Sequence, residues 1–284
     1  MGVVEVRRDQ DGWSYRLVQT WDGLYTPVAV RYPAGEGRRP LVLLSFGNGG
    51  GGLERLAEDV ERRGLVADRL VDAGFAVAWL RYRAEVDLGY AEGGALERGW
   101  RSGGPLFNRS PLDHEDVLAV VSALAEDPGV DPDRIGFLGV SHGGELALKM
   151  LAGTDHGLAA AVAAEPAAHE FLAVQRGAED VEHLQVDDVA RLLARCDLDL
   201  ARERIAGIDR PVLVMGRETD PLQPVFQATH QLLAEAGAPV RWTSHDHAEH
   251  GYLTPRRDDD GAYADLAGSE RAIDEAIAYL VEVL

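Results

Sequence analysis

Short, continuously apolar runs alternate with longer amphipathic stretches along most of this chain. "PLVLLSF" (Pro40 to Phe46) is apolar nearly throughout, as a strand covered on both faces must be. "FAVAWLRYR", "RIGFLGV", "LAAAVAA", "PVLVMGR" and "PVRWTSH" read the same way and supply five further strands. Near the start, "YRLVQT" and "LYTPVAVRYPA" are joined by Asp22 and Gly23, which predicts an antiparallel hairpin. Between the strands lie helical patterns. "AEDVERRGLVADRLVDAG" runs as one helix to Gly74, residues 111 to 126 form a helix opened by Ser110-Pro111 with Asp113 three places on, and "SERAIDEAIAYLVEVL" ends the chain. Strand and helix thus alternate at least five times, which predicts an α/β fold with a mostly parallel central sheet and helices on both faces.

In such sheets ligands bind beyond the carboxyl ends of the strands, so the residues just after each strand matter most. Two stretches exceed an ordinary connection there. Residues 83–110 are glycine-rich, and residues 166–207 are acidic; both start at the carboxyl edge, where either would serve as a lid or cap. No linker divides the chain, and residues 1–284 are expected to form a single domain.

The chemistry begins at "RIGFLGVSHGGELALKML", where Gly139-Val140-Ser141-His142-Gly143 matches G-x-S-x-G. The match gains meaning from its setting, a strand entering a tight turn and a helix leaving it. Glycine is required on both sides because a β-carbon would strike the neighbouring backbone, and the turn lifts the serine hydroxyl clear. The amide of His142 opens the helix and points where negative charge would form on an attacked carbonyl. A serine hydroxyl also needs a base and an acid. "GRETDPLQP" offers Asp220, with Glu218 as a local rival, and "HDHAEHGY" offers His250, with His245 and His247 as rivals. The order Ser, Asp, His is that of the nucleophile-elbow triads. His142 reads as a support at the turn, and His114, His156, His169, His183 and His230 as solvated or capping residues.

On these motifs the chain resembles the α/β-hydrolase superfamily, and within it the dienelactone hydrolase and prolyl-oligopeptidase-like branch, from about Leu41 onward. The resemblance implies Ser141 as nucleophile, Asp220 as orienting acid and His250 as base, since the family histidine is followed by glycine and an aromatic, here Gly251 and Tyr252. It also implies a second oxyanion amide in the loop after "PLVLLSF". Relatives there read Ser-His-Gly-x-Gly, whereas this chain has Ser45-Phe46-Gly47-Asn48-Gly49, which gives Asn48 the donor position and replaces the histidine by Phe46. Phe46, Trp100, Arg101, Phe107 and Tyr252 are candidate substrate contacts. The implied activity is hydrolysis of a small or medium carboxylic ester through an acyl-enzyme, without a cofactor. A single-domain serine peptidase or thioesterase, and a catalytically silent ligand-binding or scaffold protein, are the alternatives.

Composition narrows the partners. The 284 residues are 46% hydrophobic and 27% charged, and the net charge of −20 repels nucleic acid and anionic membranes, so a small-molecule acyl substrate is the expected partner. "MGVVEVRRDQDGW" lacks the apolar core of a signal peptide, Val6 stands where myristoylation wants Ser or Thr, and one cysteine, Cys196, forms no intrachain disulfide. A cytoplasmic protein is expected. The glycines of "GNGGGG" are not followed by Lys-Ser/Thr, which rules out a P-loop. "HDHAEH" superficially fits a metallo-hydrolase cluster, but no histidine follows His250 to complete a ligand set, and no metal is expected.

Overall fold

A computed structural model describes residues 2–47, 52–81, 110–153, 155–175 and 186–284. Its centre is a nine-stranded sheet ordered β1-β2-β3-β5-β4-β6-β7-β8-β9. The strands are β1 (Val3–Arg8), β2 (Ser14–Gln19), β3 (Tyr25–Arg31), β4 (Arg39–Phe46), β5 (Ala76–Leu80), β6 (Val130–Val140), β7 (Ala160–Ala164), β8 (Val212–Arg217) and β9 (Val240–His245). From β5 through β9 every neighbouring pair is parallel, and β1, β2 and β3 are antiparallel additions at one edge. The helices are α1 (Gly52–Arg63), α2 (Leu65–Asp72), α3 (Ser110–Ala125), α4 (His142–Ala152), α5 (Val189–Leu193), α6 (Leu198–Ile205), α7 (Gln223–Glu235) and α8 (Leu266–Val283).

The apolar runs form buried strands because their side chains feed two cores at once. Along β4, Leu41 and Leu43 enter one core while Val42 and Leu44 enter the other; along β6, Phe137 and Leu138 divide in the same way. One core is closed by α3, α4, α6 and α7, the other by α1, α2 and α8. Two expectations change in detail. The stretch expected as one helix to Gly74 breaks at Gly64, which leaves α1 and α2 separate; the turn there is one that only glycine fits, since an added β-carbon would lie 2.4 Å from Val60 O. The expected hairpin is a three-stranded antiparallel unit, because β1 pairs with β2. All six β1 residues are exposed, so "VVEVRR" has no buried face to write an alternation into the sequence.

The excursion at 166–207 is described except for 176–185. It packs Phe171, Leu172 and Leu192 into the core, adds the short helices α5 and α6, and is tied across itself by a bridge between Val174 and Cys196. The expected lid at 83–110 lies outside the described residues except for Ser110, where α3 starts. No helix among the described residues is long and apolar enough to cross a membrane.

Candidate active site

Ser141 sits in the turn between β6 and α4 with φ 60° and ψ −117°, a conformation that costs a non-glycine residue on the order of 1–3 kcal/mol. Its flanking glycines explain why the turn is possible. A β-carbon on Gly139 would lie 2.0 Å from Gly143 O, and one on Gly143 would lie 2.5 Å from Ser45 O. The strain is held by hydrogen bonds on both sides. The Ser141 amide donates to Ala164 O at 2.9 Å, and Ser141 O accepts from the amides of Glu145 and Ala167, each at 3.1 Å. The side chain of His142 turns to α3, where its Nε2 lies 2.8 Å from Oδ2 of the buried Asp113, so it braces the turn as the sequence suggests.

The loop expected to carry the second oxyanion amide starts beside this turn. Ser45 and Phe46 pair with Gly139 and Val140, and the Gly47 amide donates to Val140 O at 3.1 Å. Asn48 lies outside the described residues, as do Trp100, Arg101 and Phe107. Phe46 is half-buried, with the Arg63 guanidinium 4.5 Å from its ring centre, and its ring edge fills the space a β-carbon on Gly251 would need, 2.9 Å away.

Asp220 and His250 meet at the ends of β8 and β9. His250 Nδ1 donates to Asp220 Oδ2 at 2.8 Å, while Asp220 Oδ1 accepts from the Leu222 amide at 2.8 Å. The rivals point elsewhere. His245 Nε2 lies 3.1 Å from Glu275, and His247 is buried, with Nδ1 accepting from the Glu249 amide and Nε2 3.3 Å from Ser269 Oγ. Glu218 is exposed, whereas Asp220 is buried. The three imidazoles of "HDHAEH" therefore face three different partners and do not converge on one point.

Two further residues of this corner belong to no motif in the sequence. Arg217, the last residue of β8, donates from Nε to Asp220 Oδ2 at 2.9 Å and from Nη1 to the carbonyls of His247 and Ala248 at 3.1 and 3.2 Å, tying the histidine loop to the acid. Glu165 follows β7 directly, is fully buried, and accepts from the Gly251 amide at 2.7 Å. Its one trace in the sequence is a carboxylate directly after the apolar run "LAAAVAA", which by itself does not tell a buried acid from a solvated one. Oxygen and nitrogen atoms of Glu165, Asp220 and His250 lie within 4.8 Å of one another, the spacing of a cation site, and the Arg217 guanidinium already brings positive charge to it.

Burial disfavours charge on all three, and their partners decide the outcome. For His250, burial lowers the pKa, but the hydrogen bond to Asp220 and the negative charges of Glu165 and Asp220 more than offset it, and the ring sits above its ordinary value of 6.5. For Asp220, burial raises the pKa and the hydrogen bonds from His250, Leu222 and Arg217 bring it below the usual carboxylate value. Glu165 is pushed by burial up to about 7, against the pull of His250 and the Gly251 amide.

Tyr252 corrects the sequence reading. It is fully buried, its hydroxyl donates to Gly216 O at 3.0 Å, and its ring packs against His245 and His247, so it belongs to the wall behind the site and is not placed to touch substrate. His169 is likewise buried rather than solvated, and burial holds His114 below its ordinary pKa.

A serine on a strained strand-to-helix turn and an aspartate-histidine pair two strands away, all at the carboxyl edge of one sheet, define the setting of a hydrolase. The chain belongs to the α/β-hydrolases: the family described as "alpha/beta hydrolase fold" matches residues 107–254. Sequence comparison with curated proteins finds no match. Among solved structures, an esterase from Pyrobaculum calidifontis is similar with TM-score 0.62 and 19% identity, over 100% of this chain and 87% of that one. A putative dienelactone hydrolase from Klebsiella pneumoniae subsp. pneumoniae is similar with TM-score 0.61 and 16% identity, over 99% and 100%. The chain spans 36% of Porphyromonas gingivalis dipeptidyl peptidase 4, which it resembles over 96% of its own length with TM-score 0.63 and 16% identity. At these identities the likeness is one of fold.

Proposed function

We propose that the protein is a serine hydrolase that cleaves a carboxylic ester of small or medium size through an acyl-enzyme. In this reading Ser141 Oγ attacks the carbonyl carbon, and His250 Nε2 takes the hydroxyl proton and delivers it to the leaving oxygen. Asp220 holds the opposite ring nitrogen as N–H and stabilises the imidazolium that forms. The amides of His142 and Asn48 receive the oxyanion, each worth on the order of 3 kcal/mol of barrier. Water then attacks the acyl carbon by the same proton route and frees the serine.

The observation that carries the reading is the 2.8 Å contact of His250 Nδ1 with Asp220, at the same rim as Ser141. The rim is shared through β7: the Ser141 amide bonds Ala164 O, and the next residue, Glu165, lies 3.4 Å from the His250 ring nitrogen. The esterase is matched over 87% of its length and the dipeptidyl peptidase over 36%, which favours an ester over a peptide. A panel of p-nitrophenyl esters of graded chain length tests it. Wild type hydrolyses the shorter esters, and Ser141→Ala loses that activity by three orders of magnitude or more, roughly as removal of a nucleophile does elsewhere, with its melting temperature kept. Turnover unchanged in Ser141→Ala would reject the assignment.

A further inference from the structure

Glu165 has no task in the acyl-transfer scheme, yet the fold goes to some length to hold it. It adopts φ 46°, in the left-handed region that L side chains rarely occupy, and its amide is pinned to Met215 O of β8 at 2.7 Å. Its carboxylate is fully buried and its two oxygens differ. Oε2 accepts from the amide of Gly251, the residue after His250, at 2.7 Å. Oε1 lies 3.4 Å from His250 Nδ1 and 3.4 Å from Arg217 Nε and completes a hydrogen bond with neither. Both of those donors are bonded to Asp220 Oδ2, at 2.8 and 2.9 Å. A buried carboxylate oxygen left unbonded beside two donors carries a desolvation penalty that better packing would remove.

We propose that Glu165 is a second acid for His250: a positioning residue that fixes the histidine loop through the Gly251 amide and presents a spare carboxylate oxygen to Nδ1, able to accept its proton's hydrogen bond in place of Asp220. The inference rests on the acyl-transfer reading only for its kinetic consequences, since the contact with the ring is independent of turnover. The charged groups that face the ring are Asp220 from the loop after β8, Glu165 from the end of β7 and Arg217 from β8 itself. His245, the last residue of β9, and His247, in the same loop as His250, are turned to Glu275 and Ser269. When the ring takes up a proton, Glu165 and Asp220 stabilise the cation and Arg217 opposes it. Burial holds the Glu165 carboxyl near pH 7, so it acquires its charge in the range where the imidazole titrates.

The test follows the His250 ring by NMR titration and, beside it, kcat/KM for p-nitrophenyl butyrate, in wild type, Glu165→Gln, Asp220→Asn and the double variant. Glutamine keeps an oxygen for the Gly251 amide and removes the charge. Glu165→Gln then lowers the pKa of His250 and moves the acid limb of kcat/KM to lower pH, because a negative charge has left the neighbourhood of a cation. Its effect on rate is larger in the Asp220→Asn background than in wild type by about tenfold, the size expected of coupled neighbours. An unchanged His250 titration, with the same rate factor in both backgrounds, overturns the proposal and leaves Glu165 a structural tie. If Glu165→Gln does not fold, Asp220→Asn alone decides. The ring titration is the readout there: a second acid keeps the His250 pKa of Asp220→Asn well above that of a buried ring with no carboxylate partner, and a fall well below 6.5 overturns the proposal. Absence of turnover in wild type strikes at the hydrolase reading alone, and the ring titration still judges Glu165.

Discussion

Ser141 is held at φ 60° between two glycines whose missing side chains are a steric requirement. The elbow exists only while nothing larger than hydrogen stands at Gly139, where an added β-carbon would lie 2.0 Å from Gly143 O. Gly139→Ala therefore forces β6 and α4 apart and costs about 3 kcal/mol or more, the upper range for overpacking. Urea unfolding measures that loss, and esterase activity falls with it because the serine is re-aimed. At His250 the balance of burial against two carboxylates leaves the ring above its ordinary pKa of 6.5. A base must be unprotonated to act, so kcat/KM rises with pH through a midpoint above 6.5 and is lost below it. A profile of p-nitrophenyl ester hydrolysis reads the midpoint directly, and one at or below that value would contradict the electrostatic account of the pair.

The ends of the strands are the elements that matter, because β6, β7, β8 and β9 each deliver one part of the site to the same edge. Arg217 is the tie between them, its guanidinium touching Asp220, Glu165 and the carbonyls of His247 and Ala248. Arg217→Met leaves two buried carboxylates without their cation and the histidine loop without its anchor, which costs about 3 kcal/mol in stability by thermal or urea unfolding. The strands and most helices were legible in the sequence because residues buried on both faces write continuous apolar runs, as in "PLVLLSF". β1 was not, since its six residues bury nothing and so carry no pattern. The turn at Ser141 and the pairing of Asp220 with His250 were legible because glycine turns and strand ends bracket those residues. Glu165 and Arg217 were not, because a single charged residue closing an apolar run looks the same whether it meets solvent or a buried imidazole. Tyr252 misled for the converse reason, since an aromatic after the histidine fits a substrate wall and a core wall equally well.

At the scale of the whole molecule, the nine-stranded order sets β6, β7, β8 and β9 side by side, so residues separated by more than a hundred positions share one rim. The molecule also carries a net charge of −20, which sets a repulsive field for anionic substrates. For an anionic ester kcat/KM consequently rises as salt is added toward about 0.15 M, where the Debye length falls to about 8 Å, while a neutral ester of similar size is unaffected. Stopped assays at two ionic strengths separate the cases. The central claim, that Ser141 is a nucleophile activated by His250 and Asp220, is tested most directly by labelling with a fluorophosphonate and mapping the adduct by peptide mass spectrometry. The account predicts a single adduct on Ser141, absent in Ser141→Ala and slowed by at least about a hundredfold in His250→Ala, on the scale of general-base assistance. No adduct on wild type, or one formed at the same rate without the histidine, would contradict it.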